Sequence, residues 1–311
     1  VAAATARLSA ERAQLAAILS EIPVATMAVG PDHRVVLYDR QCVDLLGPVA
    51  PLGLGRPVSD YLAQAPLLDA VQALADGSAY IDAEIDTADG LRRVAARVRP
   101  IGADGGFLLA MEPEEEGPSE RPLVFDFHLP RHVTDGELSD TPLSRLSCVV
   151  FDTETTGLLP ATDEIVQIGA VRVVNGQIVE GEVFDTLVDP GRPIPAPSTR
   201  VHGITDAAVR GAPPPSEAVR AFHRFAEGSV LAAHNAPFDL AFLRRHGRTL
   251  GISFDHPVLD TVLLSAAVYG TGVPHSLHAI ADRLGVRLES AARHTATGDA
   301  KATAEVLLHL L

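Results

Sequence analysis

Two carboxylates, Asp152 and Glu154, close an apolar run that begins at Cys148. Residues i and i+2 of a strand point to the same face, so we expect the two acids to converge at one position of a sheet. Burying both would cost much solvation free energy unless a cation compensated their charge. The pair therefore predicts a metal site, although a strand that ends in exposed acids would have the same pattern.

A third acid, Asp239, closes the segment HNAPFD at residues 234–239. This segment follows an apolar strand at 230–233 and opens a helix that runs to about residue 250. Pro237 suits the first helical turn, where the helix dipole also favours an acid. Asp239 is therefore a third candidate metal ligand, with helix stabilisation as the alternative interpretation.

A fourth acid, Asp299, follows His294 by five residues. Helical periodicity resumes after Thr295, which puts Asp299 on the early turns of the last helix and His294 in the preceding loop. A histidine has an unperturbed pKa of about 6.5, so it can act as a general base beside an aspartate. A histidine on a surface loop is the alternative for His294.

The combination of these motifs resembles the DEDDh, or DnaQ-like, exonucleases, the family that includes the proofreading epsilon subunit of bacterial replicative DNA polymerase. The resemblance covers about residues 146–311. Besides the acids, it rests on the segments at 151–157, 164–171, 201–204, 259–261 and 299–305.

The resemblance implies an α/β domain of the RNase H-like fold, with a mixed five-stranded sheet and flanking helices. The hydrophobic pattern agrees, because residues 215–226 and 261–311 are helical in period and Asn175-Gly176 has hairpin-turn chemistry. Strands are predicted near 148–153, 165–174, 177–188, 229–233 and 257–260.

The resemblance also implies a mechanism with two metal ions. Asp152, Glu154 and Asp299 would hold the metal that binds the attacking water. Asp152 and Asp239 would hold the second metal, and His294 would take the proton from the water. Sites that are rich in oxygen and lack cysteine select Mg2+ or Mn2+ over zinc. The products would be nucleoside 5′-monophosphates released from the 3′ end.

Contacts to the terminal nucleotide are likewise implied by the family. Ile204 would wedge against a base, since every base offers a π-face. A loop at 202–203 and core packing of Phe238 are the alternatives, and we expect Asp260 to be structural. The predicted substrate-binding residues are Thr155, Thr156, Gly157, His202, Gly203, Ile204, Asn235 and Phe238.

The first 112 residues predict an α+β domain that precedes the exonuclease-like part. Their pattern is a helix, two strands, small helices and a three-stranded meander, and this order resembles a PAS domain. The resemblance implies a sensor or a dimerisation module. The seven-residue spacing of Leu8, Leu15 and Ile22 is consistent with a homodimer or with core packing. The strands are expected at 24–29, 35–38, 79–86, 91–99 and 106–111, and the small helices at 40–46 and 66–75.

Residues 113–145 predict a linker and docking segment between the two domains. Residues 112–118 are acidic and contain Pro and Gly, as linkers do. A short apolar patch at 123–127 is expected to lie against one domain as an added strand.

Composition limits the classes of protein. The 311 residues carry a net charge of −15, which argues against a broad basic face that coats nucleic acid. The two cysteines, Cys42 and Cys148, are far apart, which excludes a disulfide framework and fits a cytoplasmic protein. No apolar window is long enough to span a membrane. The chain opens at Val1, so a longer protein with an upstream anchor stays open.

Three functions remain after these exclusions. The first is a 3′→5′ exonuclease that acts on a single-stranded or frayed DNA 3′ end, as in DNA repair, with a polymerase partner left open. The second is an exoribonuclease of the RNase T or oligoribonuclease type. The third is a PAS-containing sensor or scaffold whose nuclease domain is inactive or gated.

Overall fold

The computed structural model describes residues 24–74, 78–101, 105–112, 124–125, 141–143, 146–286 and 295–311. The chain divides into two compact units, Val1–Thr134 and Asp135–Leu311. This division falls inside the segment 113–145, whose assignment as a linker stays a prediction. The predicted N-terminal helix lies outside the described residues. Within the described part of the chain, no helix is long and apolar enough to cross a membrane.

After the N-terminal segment, the first unit contains the predicted strands and small helices in the predicted order. They are β1 (Ala25–Val29), β2 (Val35–Tyr38), α1 (Arg40–Leu46), a 3-10 turn (Val58–Asp60), α2 (Gln64–Leu74), β3 (Ile81–Asp86), β4 (Arg93–Ile101), β5 (Gly106–Met111) and β6 (Val124–Phe125). The strands form one sheet in the order β3-β4-β5-β1-β2-β6, and every pairing is antiparallel. Strand β6 adds to the edge at β2, as the apolar patch at 123–127 predicts. The assignment of this unit as PAS-like stays a prediction.

The second unit has a mixed five-stranded sheet. Its elements are β7 (Cys148–Thr155), β8 (Ile165–Val174), β9 (Gln177–Leu187), α3 (Ala196–His202), α4 (Pro215–Ala226), β10 (Val230–Ala233), α5 (Ala236–Leu250), β11 (Val258–Asp260), α6 (Thr261–Tyr269), α7 (Leu277–Leu284) and α8 (Ala296–Leu310). The strand order is β11-β10-β7-β8-β9. Strands β7, β10 and β11 are parallel, whereas β8 and β9 continue the sheet in antiparallel pairings. The mixed sheet predicted from the sequence is confirmed.

Helices cover both faces of this sheet, and the alternation of β7 divides its side chains between them. Val149 and Phe151 pack in one apolar cluster with residues of α4 and α5. Cys148 and Val150 pack in another cluster with Ala304 of α8. Because side chains of a strand alternate, Asp152 and Glu154 lie on the face that α8 covers.

The β8–β9 connection has the turn that the sequence predicts. Asn175 and Gly176 both have positive φ, 49° and 72°. Two successive residues in the left-handed region form a type I′ turn, which matches the twist of the two strands.

Strand β8 is buried along its whole length, and it includes a buried charge, Arg172. The guanidinium forms an ion pair with the buried carboxylate of Glu182 on β9. It also donates hydrogen bonds of 2.6 Å to Ser229 Oγ and to the carbonyl oxygen of Phe225 at the end of α4. Arg172 therefore connects β8, β9 and the α4–β10 turn.

Candidate active site

The first two acids lie at the carboxyl end of β7, the central strand of the sheet. Asp152 and Glu154 are half-buried and alternate with the buried Thr153 and Thr155. Strand pairing puts Asp152 opposite Gly169 and Glu154 opposite Gln167 on β8. The convergence predicted from the i, i+2 spacing therefore holds.

Helix α8 brings Asp299 to the same place. The helix begins with Thr295 as its N-cap, whose side chain accepts a hydrogen bond from the Gly298 amide, and Asp299 lies in its first turn. One carboxylate oxygen each of Asp152, Glu154 and Asp299 lies within 4.8 Å of the others. Strand and helix thus present three acids to one small volume.

Asp239 lies in the first turn of α5, a helix that packs on the face of the sheet opposite to α8. Its side chain is 3% exposed. Its Oδ1 accepts hydrogen bonds from the backbone nitrogen of Thr153 at 3.0 Å and from Thr153 Oγ1 at 2.5 Å. Thr153 lies between the two strand acids in sequence. The fourth acid is therefore held directly against the strand that carries the first two.

Burial and neighbouring charges raise the pKa of Asp152, Glu154 and Asp239. Burial is the largest cause in each case. Together with the charges of Asp299 and Asp239 it raises the pKa of Glu154 to about 8, and the pKa of Asp239 rises to about 7. The charges of Asp239, Glu154 and Asp299 raise the pKa of Asp152 further. The hydrogen bonds from Thr153 act against burial at Asp239. Without a compensating positive charge, this cluster would retain protons at neutral pH.

The donor set fits a hard divalent cation. The clustered ligand atoms are carboxylate oxygens, which Mg2+, Mn2+ and Ca2+ prefer, with no thiolate or imidazole in the group. A cation would also replace the protons that the raised pKa values indicate. The geometry of Asp152, Glu154 and Asp299 is therefore compatible with metal binding.

A protein-family model described as Exonuclease (RNase_T) matches residues 149–307, just over half of the chain. The chain belongs to the exonuclease family. The matched residues span the second unit from β7 to α8, and so include all four acids.

Several curated proteins resemble the exonuclease domain. A DNA polymerase III subunit epsilon-like protein of Rhodobacter capsulatus is 62% identical over 192 residues, which cover 61% of this chain and 27% of that protein. A PolC-type DNA polymerase III of Caldanaerobacter subterraneus is 42% identical over 163 residues, which cover 52% of this chain and 11% of that protein. The matched part of the chain thus spans about a quarter or less of the length of these relatives.

Solved exonuclease structures also resemble the domain. Exonuclease X in complex with 5′ overhanging duplex DNA has a TM-score of 0.43 at 28% identity, and the match covers 52% of this chain and 90% of that one. A structure of exonuclease I has a TM-score of 0.45 at 20% identity, with coverage of 52% and 40%.

The predicted substrate residues Thr155, Thr156 and Gly157 end β7 and begin the loop that follows it. Thr155 Oγ1 donates a hydrogen bond to the Gly157 carbonyl oxygen at 2.7 Å. The Thr156 amide donates to the Glu164 carbonyl oxygen, and Thr156 Oγ1 accepts from the Glu164 amide. A methyl group on Gly157 would overlap the carboxylate of Asp163, so a larger residue here would have to displace that side chain. The loop lies directly next to Glu154, and its contact with substrate stays a prediction.

The segment 202–204 closes α3, a helix that the hydrophobic pattern does not predict. His202 is its last residue, and Gly203 ends it with a φ of 74°. His202 Nδ1 accepts a hydrogen bond from the Ile204 amide at 3.0 Å. Ile204 is 8% exposed and packs with Val166 and Ile194. Its role as a wedge stays a prediction, and the exposed surface that could perform it is small.

Asn235 and Phe238 lie at the start of α5, beside Asp239. Asn235 is exposed and adopts the left-handed conformation, φ 62° and ψ 50°. Its amide donates to Asp260 Oδ1 at 3.2 Å, and the same oxygen accepts from the Val262 amide at 2.8 Å. Asp260 thus caps α6 and holds the turn before α5, in line with the structural role expected for it. Phe238 is half-buried and packs edge-on against Phe242.

His294 lies outside the described residues, so its predicted role as general base stays a prediction. Sequence reasoning also missed residues that shape the site. Thr153, Gln167 and Gly169 bear on the acids or on the helix that carries Asp299. A glycine inside an apolar strand indicates close approach of another backbone and could have identified Gly169. The other two act through long-range partners that no local pattern reveals.

Proposed function

We propose that residues 146–311 form a metal-dependent 3′→5′ exonuclease that hydrolyses DNA to nucleoside 5′-monophosphates. The observation that carries this proposal is the convergence of Asp152, Glu154 and Asp299, with Asp239 hydrogen-bonded to the same strand. Membership of the exonuclease family and the name of the epsilon-like relative support it.

The four acids are the proposed ligands of Mg2+ or Mn2+. Asp152, Glu154 and Asp299 would hold one cation, and Asp152 and Asp239 a second. When bound, the cations would stabilise negative charge on the phosphate and on the attacking and leaving oxygens. His294 would accept the proton of the attacking water. Thr155, Thr156, Gly157, His202, Gly203, Ile204, Asn235 and Phe238 would surround the terminal nucleotide.

The substrate is proposed to be a single-stranded or frayed DNA 3′ end. Both relatives carry the name of DNA polymerase III. These names support DNA over RNA as the substrate, and they support a polymerase as a partner. An exoribonuclease activity remains an outcome of the test, and a role in DNA repair stays a prediction. The domain at 1–112 is proposed as a PAS-like sensor or dimerisation module, joined by the segment 113–145.

The test follows products from matched 5′-labelled single-stranded DNA and RNA in Mg2+ or Mn2+. The variant Asp152→Asn removes a ligand charge at almost unchanged size. Glu305→Gln is the matched control, because Glu305 is an exposed acid on the same helix as Asp299.

The proposal expects a DNA ladder that shortens from the 3′ end, retained in Glu305→Gln and lost in Asp152→Asn. A ladder with RNA alone would replace DNA as the substrate. Equal cleavage by wild type and Asp152→Asn would contradict the site. Metal binding without cleavage of either substrate would instead favour a gated or inactive nuclease domain.

A further inference from the structure

Two residues of β8 lie directly across from the strand acids. Gln167 pairs with Glu154, and Gly169 pairs with Asp152. Residues paired across two strands lie on the same face, so Gln167 and Gly169 face α8 together with the acids. Gln167 is 7% exposed within a strand that is otherwise mostly apolar.

Gly169 gives the first turn of α8 the space to rest on the sheet. A methyl group at this position would overlap the backbone nitrogen of Thr297 and the carbonyl carbon of Ala296. These are backbone atoms of the helix, so no side-chain rotation would relieve the overlap. Any residue larger than glycine would therefore have to move the helix away from β8, or the strand away from the helix.

Gln167 fixes the same turn by a hydrogen bond. Its Oε1 accepts from the Ala296 amide at 3.1 Å, a first-turn amide that has no acceptor within the helix. Its Nε2 donates to Asp185 Oδ1 on β9 at 2.8 Å, and this contact orients the side-chain oxygen toward the helix. The Gly298 amide of the same turn is capped separately by Thr295.

Apolar packing alone would leave the position of α8 along the strand less defined. Farther along the helix, Ala304 and Leu307 pack on a cluster of apolar side chains, which tolerates sliding better than a hydrogen bond does. The absence of a side chain at Gly169 and the Oε1 acceptor of Gln167 act instead on backbone atoms of residues 296 and 297. Asp299 follows in the same turn, within reach of Asp152 and Glu154.

We propose that Gln167 and Gly169 are positioning residues that seat the first turn of α8 on β8 and thereby fix Asp299 for metal binding. This inference rests on the proposed function of the acid cluster as a metal site. Neither residue contributes a metal ligand. Loss of either is expected to weaken metal binding by about 10- to 100-fold, the usual effect of losing a group that orients a ligand.

Three variants of the full chain test whether Gln167 and Gly169 position the first turn of α8. Gln167→Met keeps the length of the side chain and removes the acceptor. Gly169→Ala adds the methyl group that the first turn of α8 excludes. Gln177→Met is the matched control, since it makes the same change at an exposed glutamine of β9 that lies outside this network.

Two measurements separate positioning from general destabilisation. Calorimetric titration with Mn2+ is expected to show weaker binding in Gln167→Met and Gly169→Ala, and binding within about twofold of wild type in Gln177→Met. Turnover of Gln167→Met should recover at high Mn2+. In metal-free protein, hydrogen exchange at residues 296–299 should be faster in Gln167→Met, with exchange in β9 unchanged.

Wild-type Mn2+ affinity and wild-type exchange at 296–299 in Gln167→Met would overturn the inference. If Gly169→Ala does not fold, Gln167→Met still decides it. Failure of the proposed function would look different, because wild type itself would then neither bind Mn2+ nor cleave. In that case, the difference in hydrogen exchange at residues 296–299 between wild type and Gln167→Met would still test whether Gln167 positions the first turn of α8.

Discussion

At the scale of single residues, the chemistry rests on carboxylates that the fold forces together. Asp152 and Glu154 are predictable because strand alternation alone puts them on one face. Asp239 and Asp299 are predictable as acids of first helical turns, but their arrival beside β7 depends on how α5 and α8 pack. Burial raises the pKa values of Asp152, Glu154 and Asp239, and the charges of neighbouring acids raise those of Asp152 and Glu154 further.

The variant Asp152→Asn should lower turnover by more than about a thousandfold, because several kcal/mol of metal-borne stabilisation depend on this ligand. It should also stabilise the metal-free protein, since an amide avoids the cost that burial and the charges of Asp239, Glu154 and Asp299 impose on this carboxyl group, whose pKa they raise. Turnover and thermal unfolding in EDTA measure the two effects. A variant that is less stable than wild type in EDTA would contradict the electrostatic account.

The variant Glu154→Gln tests the pH dependence of the cluster. The pKa of Glu154 is about 8 in the fold and about 4.3 in an unfolded chain. Between these pH values the folded state binds more protons, so its free energy of unfolding falls as pH rises. A glutamine at position 154 does not titrate, so the variant does not lose stability in this way as pH rises. In EDTA, the Tm advantage of the variant over wild type should therefore be larger at pH 8 than at pH 5, and an advantage that shrinks with pH would refute this.

The variant Thr153→Val removes the Oγ1 donor to Asp239 and keeps both the side-chain shape and the backbone donor. We expect turnover to fall about tenfold, since one of two hydrogen bonds that orient a ligand is lost. A titration of activity with Mn2+ should show a higher midpoint. Unchanged midpoint and turnover would mean that the backbone amide suffices to hold Asp239.

At the scale of elements, the sequence predicts the strands and most helices of the second unit because their periodicity is local. The turn at Asn175-Gly176 is predictable for the same reason. The burial of Arg172 is not, because its partners Glu182, Ser229 and Phe225 come from three other segments. The contacts of α8 with Gln167 and Gly169 cannot be predicted from local sequence for the same reason.

The Arg172–Glu182 pair gives a prediction at this scale. Arg172→Met should destabilise the second unit by about 3–5 kcal/mol, because it leaves the Glu182 carboxylate buried without its partner. The double variant Arg172→Met/Glu182→Leu should regain most of this loss. Denaturant unfolding of wild type, the single variant and the double variant measures these differences in the free energy of unfolding. A double variant no more stable than the single one would show that the ion pair is not the source of the effect.

At the scale of the whole molecule, two units with separate cores share one chain, and the four acids all belong to the second. Composition and periodicity predict this division in outline. The resemblance of the first unit to PAS domains rests on element order, so its ligand and its influence on the second unit are not predictable. His294 lies outside the described residues, and its role as general base stays a prediction.

A fragment that begins at Asp135 should fold and cleave the same substrate with turnover within about tenfold of the full chain, since metal ligands and α8 are complete in it. Circular dichroism and the labelled-oligonucleotide assay check this. A folded fragment without activity would show that the first unit is required for the chemistry itself.

The central claim is that Asp152, Glu154, Asp239 and Asp299 form one metal site. Its most direct test is a calorimetric Mn2+ titration of wild type and of the four single variants that replace each acid by its amide, with Glu305→Gln as the control. We predict that wild type and Glu305→Gln bind Mn2+ alike and that each of the four variants binds it more weakly. Equal binding by wild type, Asp152→Asn and Asp299→Asn would contradict the claim.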